Sequence, residues 1–218
     1  MASAVIHMCV AKRVNDKIIK RGIKLEWQPF ALGSIAPDIA KQVGERKNKS
    51  HFLPPNAKED TKPNLVQFLK KYGHTMYQPF SLGYYVHLVT DEYWFSEFIY
   101  LFINEYCKNR GLEKMLYADL KDIIYNDYTS MNIKLIKRYE LDVSLFTDRN
   151  INYPTSEIYE VPMDKINIIV EKMGEIIRKS KSGKIELLEM YYIYDFIEDC
   201  TNKIIDRLEK MLYFQNYQ

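Results

Sequence analysis

The sequence predicts an all-α protein, because its apolar residues recur at helical spacing and no segment alternates apolar and polar residues for long enough to indicate a strand. The chain has 218 residues, of which 47% are hydrophobic and 28% are charged, and it contains only eight Gly and eight Pro. This composition excludes the disordered and fibrous classes, and the length fits one domain with a sizeable core. We therefore expect residues 1–218 to form a single multi-helix domain.

The first half of the chain predicts short helices separated by a long polar loop. Apolar residues spaced for one helix face indicate a first helix over residues 4–19, which Gly22 ends. Residues 26–40 hold two prolines and a glycine, so they predict turns or a very short helix. Residues 44–64 combine three prolines with many charged side chains, and this pattern indicates a surface loop of the kind that often carries function.

The second half is dominated by longer helices. A short helix is predicted over residues 65–72, and the proline-free segment 80–109 follows as one long helix that Ser81 could cap and Gly111 could end. Residues 141–162 indicate a second irregular stretch. Helical periodicity predicts the remaining helices over residues 112–127, 129–140, 163–179 and 185–213.

Charge and cysteine usage limit the cellular setting and the partners. Thirty-one basic and twenty-nine acidic side chains nearly cancel, which gives no strong electrostatic case for nucleic acid or anionic lipid as the main partner. Cys9, Cys107 and Cys200 are odd in number and far apart, as suits a reducing compartment. The longest apolar runs are too short to cross a bilayer, and the first residues lack the features of a signal peptide. A cytoplasmic protein is therefore expected.

His87 and Asp91 are the first candidate metal ligands. They lie four residues apart in GYYVHLVTDEYWF, so on a helix they share one face, and an imidazole and a carboxylate placed in this way can bind one metal ion. Trp94 and Phe98 continue that face, which predicts that the pair is buried. The alternative is a simple hydrogen bond between the two side chains on the helix surface.

Three further residues extend this set. His7 lies in the apolar segment AVIHMCV, Asp38 follows a proline in GSIAPDIA, and His51 lies in SHF within the charged loop. Taken singly, His7 could be a core histidine and Asp38 a helix cap. Together with His87 and Asp91 they make a nitrogen and oxygen ligand set that suits zinc. His74, in KKYGHTMYQPF, is interpreted as an exposed or capping residue.

The order of these pieces, His7, GSIAPDI, SHF and GYYVHLVTDEYW, resembles the bacterial zinc-dependent phospholipase C family, which is related to the single-strand-specific zinc nucleases. The resemblance covers roughly the first hundred residues and implies an all-α fold with a cluster of zinc ions. It implies that Asp38, His51, His87 and Asp91 hold one metal, and that His7 holds another, which Asp91 bridges. It also implies that Asp38 acts both as a ligand and as a general base.

The chain departs from the family pattern in two places. Secreted members ligate a zinc through an N-terminal tryptophan, whereas this chain begins Met1-Ala2-Ser3, and they complete a further site with later histidines, whereas no histidine follows His87. The resemblance thus implies between one and three zinc ions. A further site would depend on carboxylates, which favour harder ions such as Mn or Mg. The candidates are Glu97, Asp119, Asp122 and Asp127.

The resemblance implies a phosphoric-ester hydrolase in which a metal-bound hydroxide attacks a phosphodiester. The substrate would be a phosphate ester, with phospholipid among the candidates and nucleic acid or a nucleotide still open. Basic residues over 41–49 could attract such a substrate or could be ordinary solvated charge. An HD-type phosphohydrolase is disfavoured, because the sequence has no adjacent His-Asp pair. The alternative from another class is a helical binding or structural module that keeps a metal site without catalysis.

Overall fold

The computed structural model describes residues 1–146, 151 and 153–215, without the side chains of Glu97 and residues 212–215. Every regular element within these residues is helical. This confirms the predicted all-α class. No helix in the described part of the chain is long and apolar enough to cross a membrane. The α-helices are α1 (Ala4–Lys20), α2 (Trp27–Gly33), α3 (Ile39–Gln42), α4 (Leu65–Tyr72), α5 (Pro79–Tyr93), α6 (Ile99–Arg110), α7 (Lys121–Arg138), α8 (Ile166–Lys179) and α9 (Met190–Gln215).

Helix α5 lies at the centre of the hydrophobic core. Eleven of its fifteen residues are buried, and α1, α2, α4 and α9 pack around it. A helix that is apolar on every face must be surrounded in this way, because no face of it favours water. The few polar side chains that α5 carries, among them His87, Thr90 and Asp91, are consequently placed in the interior.

Two glycines allow α2 and α5 to approach each other closely. A Cβ atom at Gly33 would overlap the backbone carbonyl of Phe80, and one at Gly83 would overlap the backbone carbonyl of Phe30. The two helix backbones therefore touch without intervening side chains. This contact brings Ser34, the residue after α2, to within hydrogen-bonding distance of His87 on α5.

Glycine ends two helices as the sequence predicts. Gly22 and Gly111 take the left-handed φ angles of 81° and 62° directly after α1 and α6. The predicted cap at Ser81 is wrong, since α5 already begins at Pro79 and Ser81 is buried inside the helix. A π-helical turn over Trp94–Phe98 separates α5 from α6, where the sequence predicts one continuous helix.

Two later boundaries also differ from the prediction. Helix α7 runs without a break through residues 121–138, where the sequence predicts two helices that meet at residue 128. Helix α9 begins at Met190 rather than at residue 185. The reason is the buried carboxylate of Asp127, which accepts the backbone N–H groups of Glu186, Leu187 and Leu188 at 2.7–2.8 Å and holds them outside the helix.

The loop over residues 44–64 has a buried middle. Ser50, His51 and Phe52 are all buried, so the prediction of a surface loop is correct only for its flanks. Phe52 takes a left-handed φ of 55°, and its ring packs against the rings of Phe68 and Tyr72. The sequence pattern missed this because the buried residues are few and are surrounded by charge.

The glycine contact between α2 and α5 predicts that alanine at Gly33 destabilises the protein much more than alanine at a glycine with open space around it. Gly33→Ala should lower the free energy of unfolding by about 1–3 kcal/mol, because the added methyl group meets backbone that cannot rotate away. The measurement is urea denaturation of the purified variant. Gly73→Ala is the matched control, since no atom lies within 4 Å of its Cβ position. Equal unfolding free energies for the two variants would contradict this, because they would show that α2 and α5 can move apart to accept a methyl group at no cost.

Candidate metal centre

All five predicted ligands lie in one buried cluster. His7 comes from α1, Asp38 from the short 3-10 turn Ala36–Asp38, His51 from the loop, and His87 and Asp91 from α5. Their donor atoms form two groups that could hold a metal ion. The first group is His7, His87 and Asp91, and the second is Asp38, His51 and His87.

The spacing of the donor atoms suits a tetrahedral ion. The Nε2 atoms of His51 and His87 are 3.2 Å apart, and Asp91 Oδ2 lies 3.4 Å from the first and 3.8 Å from the second. Asp38 Oδ1 lies 3.8 Å from His51 Nε2. Ligands of tetrahedral zinc, at bond lengths of about 2.0–2.2 Å, stand about 3.3–3.6 Å from one another. His51, His87 and Asp91 are therefore spaced close to three corners of one coordination shell, and Asp38 joins His51 and His87 in one of the two groups.

The hydrogen bonds around His87 fix which of its nitrogens can bind a metal. Its Nδ1 lies 2.8 Å from the backbone carbonyl of Ser34, which can only accept a hydrogen bond. The proton is therefore assigned to Nδ1, and Nε2 keeps a lone pair. This is the second-shell arrangement typical of metal-ligating histidines, in which a carbonyl orients the ring.

His51 is oriented in the same way. Its Nδ1 lies 3.0 Å from Ser50 Oγ, and that hydroxyl donates its only proton to the carbonyl of Lys47 at 3.1 Å. When a metal is bound, His51 therefore carries its proton on Nδ1, donated to Ser50, and its Nε2 lone pair faces the ion. The Nε2 atoms of His51 and His87 are 3.2 Å apart. At that distance a shared proton, or a cation in its place, must lie between them, because two lone pairs would repel.

Asp91 connects the two groups. Its Oδ1 lies 3.3 Å from His7 Nε2 and accepts the backbone N–H of Ala2 at 3.0 Å, while its Oδ2 faces His51 and His87. The His7 ring stacks on the His87 ring with centroids 3.8 Å apart. No described group hydrogen-bonds to either His7 nitrogen. One carboxylate thus presents an oxygen to each group, as a bridging ligand requires.

Burial and mutual contacts set the charges in the cluster. His7, His51, His87 and Asp91 are at most 1% exposed. Burial opposes ionisation of Asp91, but contacts with His51 and His7 hold the pKa of its carboxyl well below the usual value. Burial and the neighbouring His7 hold the pKa of His87 well below its usual value. At neutral pH the cluster therefore offers a neutral imidazole and a carboxylate, which are the protonation states that bind metals.

Asp38 is not a helix cap, which was the alternative interpretation of its position. Although it precedes α3, its side chain makes no capping hydrogen bond, and its Oδ1 is buried without a hydrogen-bond donor among the described residues. Its side chain is 14% exposed, in contrast to the other four members of the cluster. The cluster therefore meets solvent on the side of Asp38.

The predicted second, carboxylate-rich metal site is not found among the described side chains. Asp127 accepts three backbone N–H groups, Asp119 accepts the N–H of Leu116 at 2.8 Å, and Asp122 is exposed. These contacts show that Asp119 and Asp127 hold backbone in place. The side chain of Glu97 lies outside the described part of the structure. His74 is exposed and lies 3.4 Å from Glu157, away from the cluster, as predicted.

A basic pocket opens beside the cluster. It has a volume of about 640 Å³ and is lined in part by Met1, Tyr117 and several lysines. The amino group of Met1 donates a hydrogen bond to Tyr117 at 3.3 Å, and burial lowers its pKa to about 5. The backbone N–H of Ala2, the residue after Met1, donates to Asp91 Oδ1 at 3.0 Å, so the pocket and the cluster are neighbours. The run of basic residues over 41–49 was the sequence signal for this pocket.

Comparison with protein-family models, with curated proteins and with solved structures finds no match to this chain. The donor atoms and their surroundings are therefore the observations that bear on function.

The geometry predicts that metal binding depends on His87. In His87→Ala the bound metal should fall to a small fraction of the parent value, because one ligand shared by both groups is lost. A chelator should lower the melting temperature of the parent and leave that of the variant unchanged, since a ligand at a hundredfold excess over its Kd stabilises by about 2.7 kcal/mol. Elemental analysis and thermal denaturation measure the two effects.

His74→Ala is the control, because that histidine is exposed and outside the cluster. It should bind as much metal as the parent and respond equally to the chelator. Should His87→Ala retain the metal content of the parent, the ion is held elsewhere in the chain.

Proposed function

We propose that this chain is a metal-dependent phosphoric-ester hydrolase, similar to phospholipase C, with zinc as the metal. The observation that carries the proposal is the facing pair of Nε2 atoms of His51 and His87, 3.2 Å apart and flanked by Asp38 and Asp91, beside a basic pocket. A cation in the cluster satisfies groups that otherwise repel one another, and the pocket supplies room for an anion next to it. Both are needed for ester hydrolysis assisted by a metal.

The basic pocket favours an anionic substrate. Arg46 and Lys58 are exposed on its wall and form no ion pair with any described residue. Lys47 lies closer to the cluster, where burial lowers its pKa in spite of the charges of Asp91 and Asp38. Cations at the mouth and near the floor of one cleft raise the local concentration of a phosphate-bearing molecule.

Asp38 has the position expected of the residue that handles a proton. It is the ligand on the solvent side of the cluster, and its Oδ1 has no donor among the described residues. The metal, when bound, supplies Lewis acidity that polarises a phosphoryl oxygen and acidifies a water molecule. Asp38 would accept the proton of that water, while Asp91 and the histidines stay shielded from solvent.

The alternative function is a helical module in which the metal is purely structural. The observation that favours it is the burial of four of the five ligands to 1% exposure or less, since structural sites are closed and catalytic sites keep an open position. The two functions differ in whether an anion from solvent reaches the metal. The cytoplasmic location is proposed for either function and is supported by the three cysteines, which are free and buried.

Activity and anion access can be measured on the same preparation. The metal-loaded protein should hydrolyse an aryl phosphodiester, and Asp38→Asn should lower kcat by about 10²–10⁴, the contribution of a positioned general base. Asp122→Asn is the matched control, because that carboxylate is exposed on α7 and distant in sequence from every ligand. It should leave kcat unchanged.

Cobalt substitution separates the two functions. In a hydrolase the visible spectrum of the cobalt protein should change when inorganic phosphate is added, because the anion enters the coordination shell. An unchanged spectrum together with no hydrolysis of any tested ester would support the structural module and contradict the hydrolase.

A further inference from the structure

The charge of the basic pocket exceeds what a simple phosphodiester can neutralise. Its walls carry five basic side chains against two acidic ones, Glu45 and Glu59, which leaves a formal charge of +3. The amino group of Met1 adds little at neutral pH, because burial lowers its pKa to about 5. The basic residues are Lys41, Arg46, Lys47, Lys58 and Lys121.

A bound metal would not change this balance. A divalent ion brings two positive charges, and the carboxylates of Asp38 and Asp91 bring two negative ones, while an imidazole ligand is neutral when it binds a metal. The cluster and its ion are then close to neutral as a unit. The positive charge of the pocket therefore remains for the ligand that enters it.

The cations are distributed along the pocket in two sets. Lys47 lies near the cluster, since its backbone carbonyl accepts the N–H of His51 at 2.9 Å, and its Nζ donates to the carbonyl of Glu59 at 2.6 Å. Arg46 and Lys58 form the second set: they are exposed and unpaired among the described residues, so their charge is available to a ligand in the pocket.

Two lysines are partly committed to the pocket wall. Lys121 pairs with Glu59 at 2.8 Å, and Lys41 donates to the hydroxyl of Tyr125 at 2.9 Å. These contacts leave Arg46 and Lys58 as the pocket cations without a side-chain partner among the described residues. A pocket that offers both half-buried and exposed cations suits a ligand with more than one anionic group.

We propose that the substrate carries at least two phosphate groups, one at the metal cluster and a second held by Arg46 and Lys58. Two terminal phosphate groups bring about −1.5 to −2 each near neutral pH, which matches the charge of the pocket, whereas a phosphodiester brings a single negative charge. The pocket volume of about 640 Å³ lies within the range of sites for small molecules. The inference rests on the proposed hydrolase function and narrows its substrate to a small polyphosphorylated molecule.

Calorimetric titration of the metal-loaded protein with inorganic pyrophosphate and with inorganic phosphate tests this inference without requiring catalysis. Pyrophosphate should bind at least about tenfold more tightly, because the second phosphate gains charge-assisted hydrogen bonds. The double variant Arg46→Ala, Lys58→Ala should lose about tenfold in affinity for pyrophosphate and less than about threefold for phosphate. Metal content after each titration verifies that pyrophosphate has not removed the ion.

Lys20→Ala, with Lys24→Ala, is the matched control, because both lysines are exposed and lie outside the pocket. It removes the same charge and should leave both affinities unchanged. Equal affinity for the two anions in the parent, or equal losses for both anions in the double variant, would overturn the inference.

The two proposals fail in different ways. If no ester is hydrolysed but pyrophosphate binds through Arg46 and Lys58, the hydrolase function is wrong and the pocket assignment stands. If the protein hydrolyses an aryl phosphodiester but binds pyrophosphate no more tightly than phosphate, the hydrolase stands and the second phosphate site is wrong. These results separate the chemistry of the cluster from the recognition of the ligand.

Discussion

The buried carboxylate of Asp91 is the constraint around which the structure is arranged. An isolated charge in a protein interior is very unfavourable, so the groups that surround it must be held firmly in place. They come from three distant parts of the chain: the backbone N–H of Ala2 and the ring of His7, the ring of His51, and the ring of His87 one turn away on α5. The start of α1, the loop and α5 are therefore tied together by a single side chain.

The rings of His51 and His87 are oriented by hydrogen bonds from their Nδ1 atoms to groups outside the cluster. Gly33 and Gly83 allow α2 to touch α5, and this contact places the carbonyl of Ser34 where it fixes the His87 ring. Ser50 fixes the His51 ring through the carbonyl of Lys47. Both imidazoles direct Nε2 toward the same point because the Nδ1 atom of each ring is already engaged in a hydrogen bond. The metal-binding geometry is consequently a property of the fold before any ion is considered.

The sequence was sufficient for features that depend on neighbours in the chain. Helical spacing predicted the fold class, most of the helices and the shared face of His87 and Asp91. Local context made His7, Asp38 and His51 only weak candidates, and the family resemblance joined them to that pair as ligands. The sequence failed where a partner lies far away in the chain. The late start of α9 depends on Asp127, which is about sixty residues earlier, and the burial of the loop depends on aromatic rings from α4 and α5. The orienting roles of Ser34 and Ser50 likewise need contacts that no spacing rule contains.

The left-handed backbone of Phe52 determines how the loop is held. A left-handed conformation costs an L residue about 1–2 kcal/mol, whereas full burial of a Phe side chain contributes about 1.5–3 kcal/mol, and the Phe52 ring is 5% exposed. The aromatic contacts can therefore offset the strain at the residue next to His51 without help from an ion. A loop that is already ordered loses little conformational entropy when a ligand arrives. The affinity of the cluster for a metal is then little reduced by the ordering of the loop that carries His51.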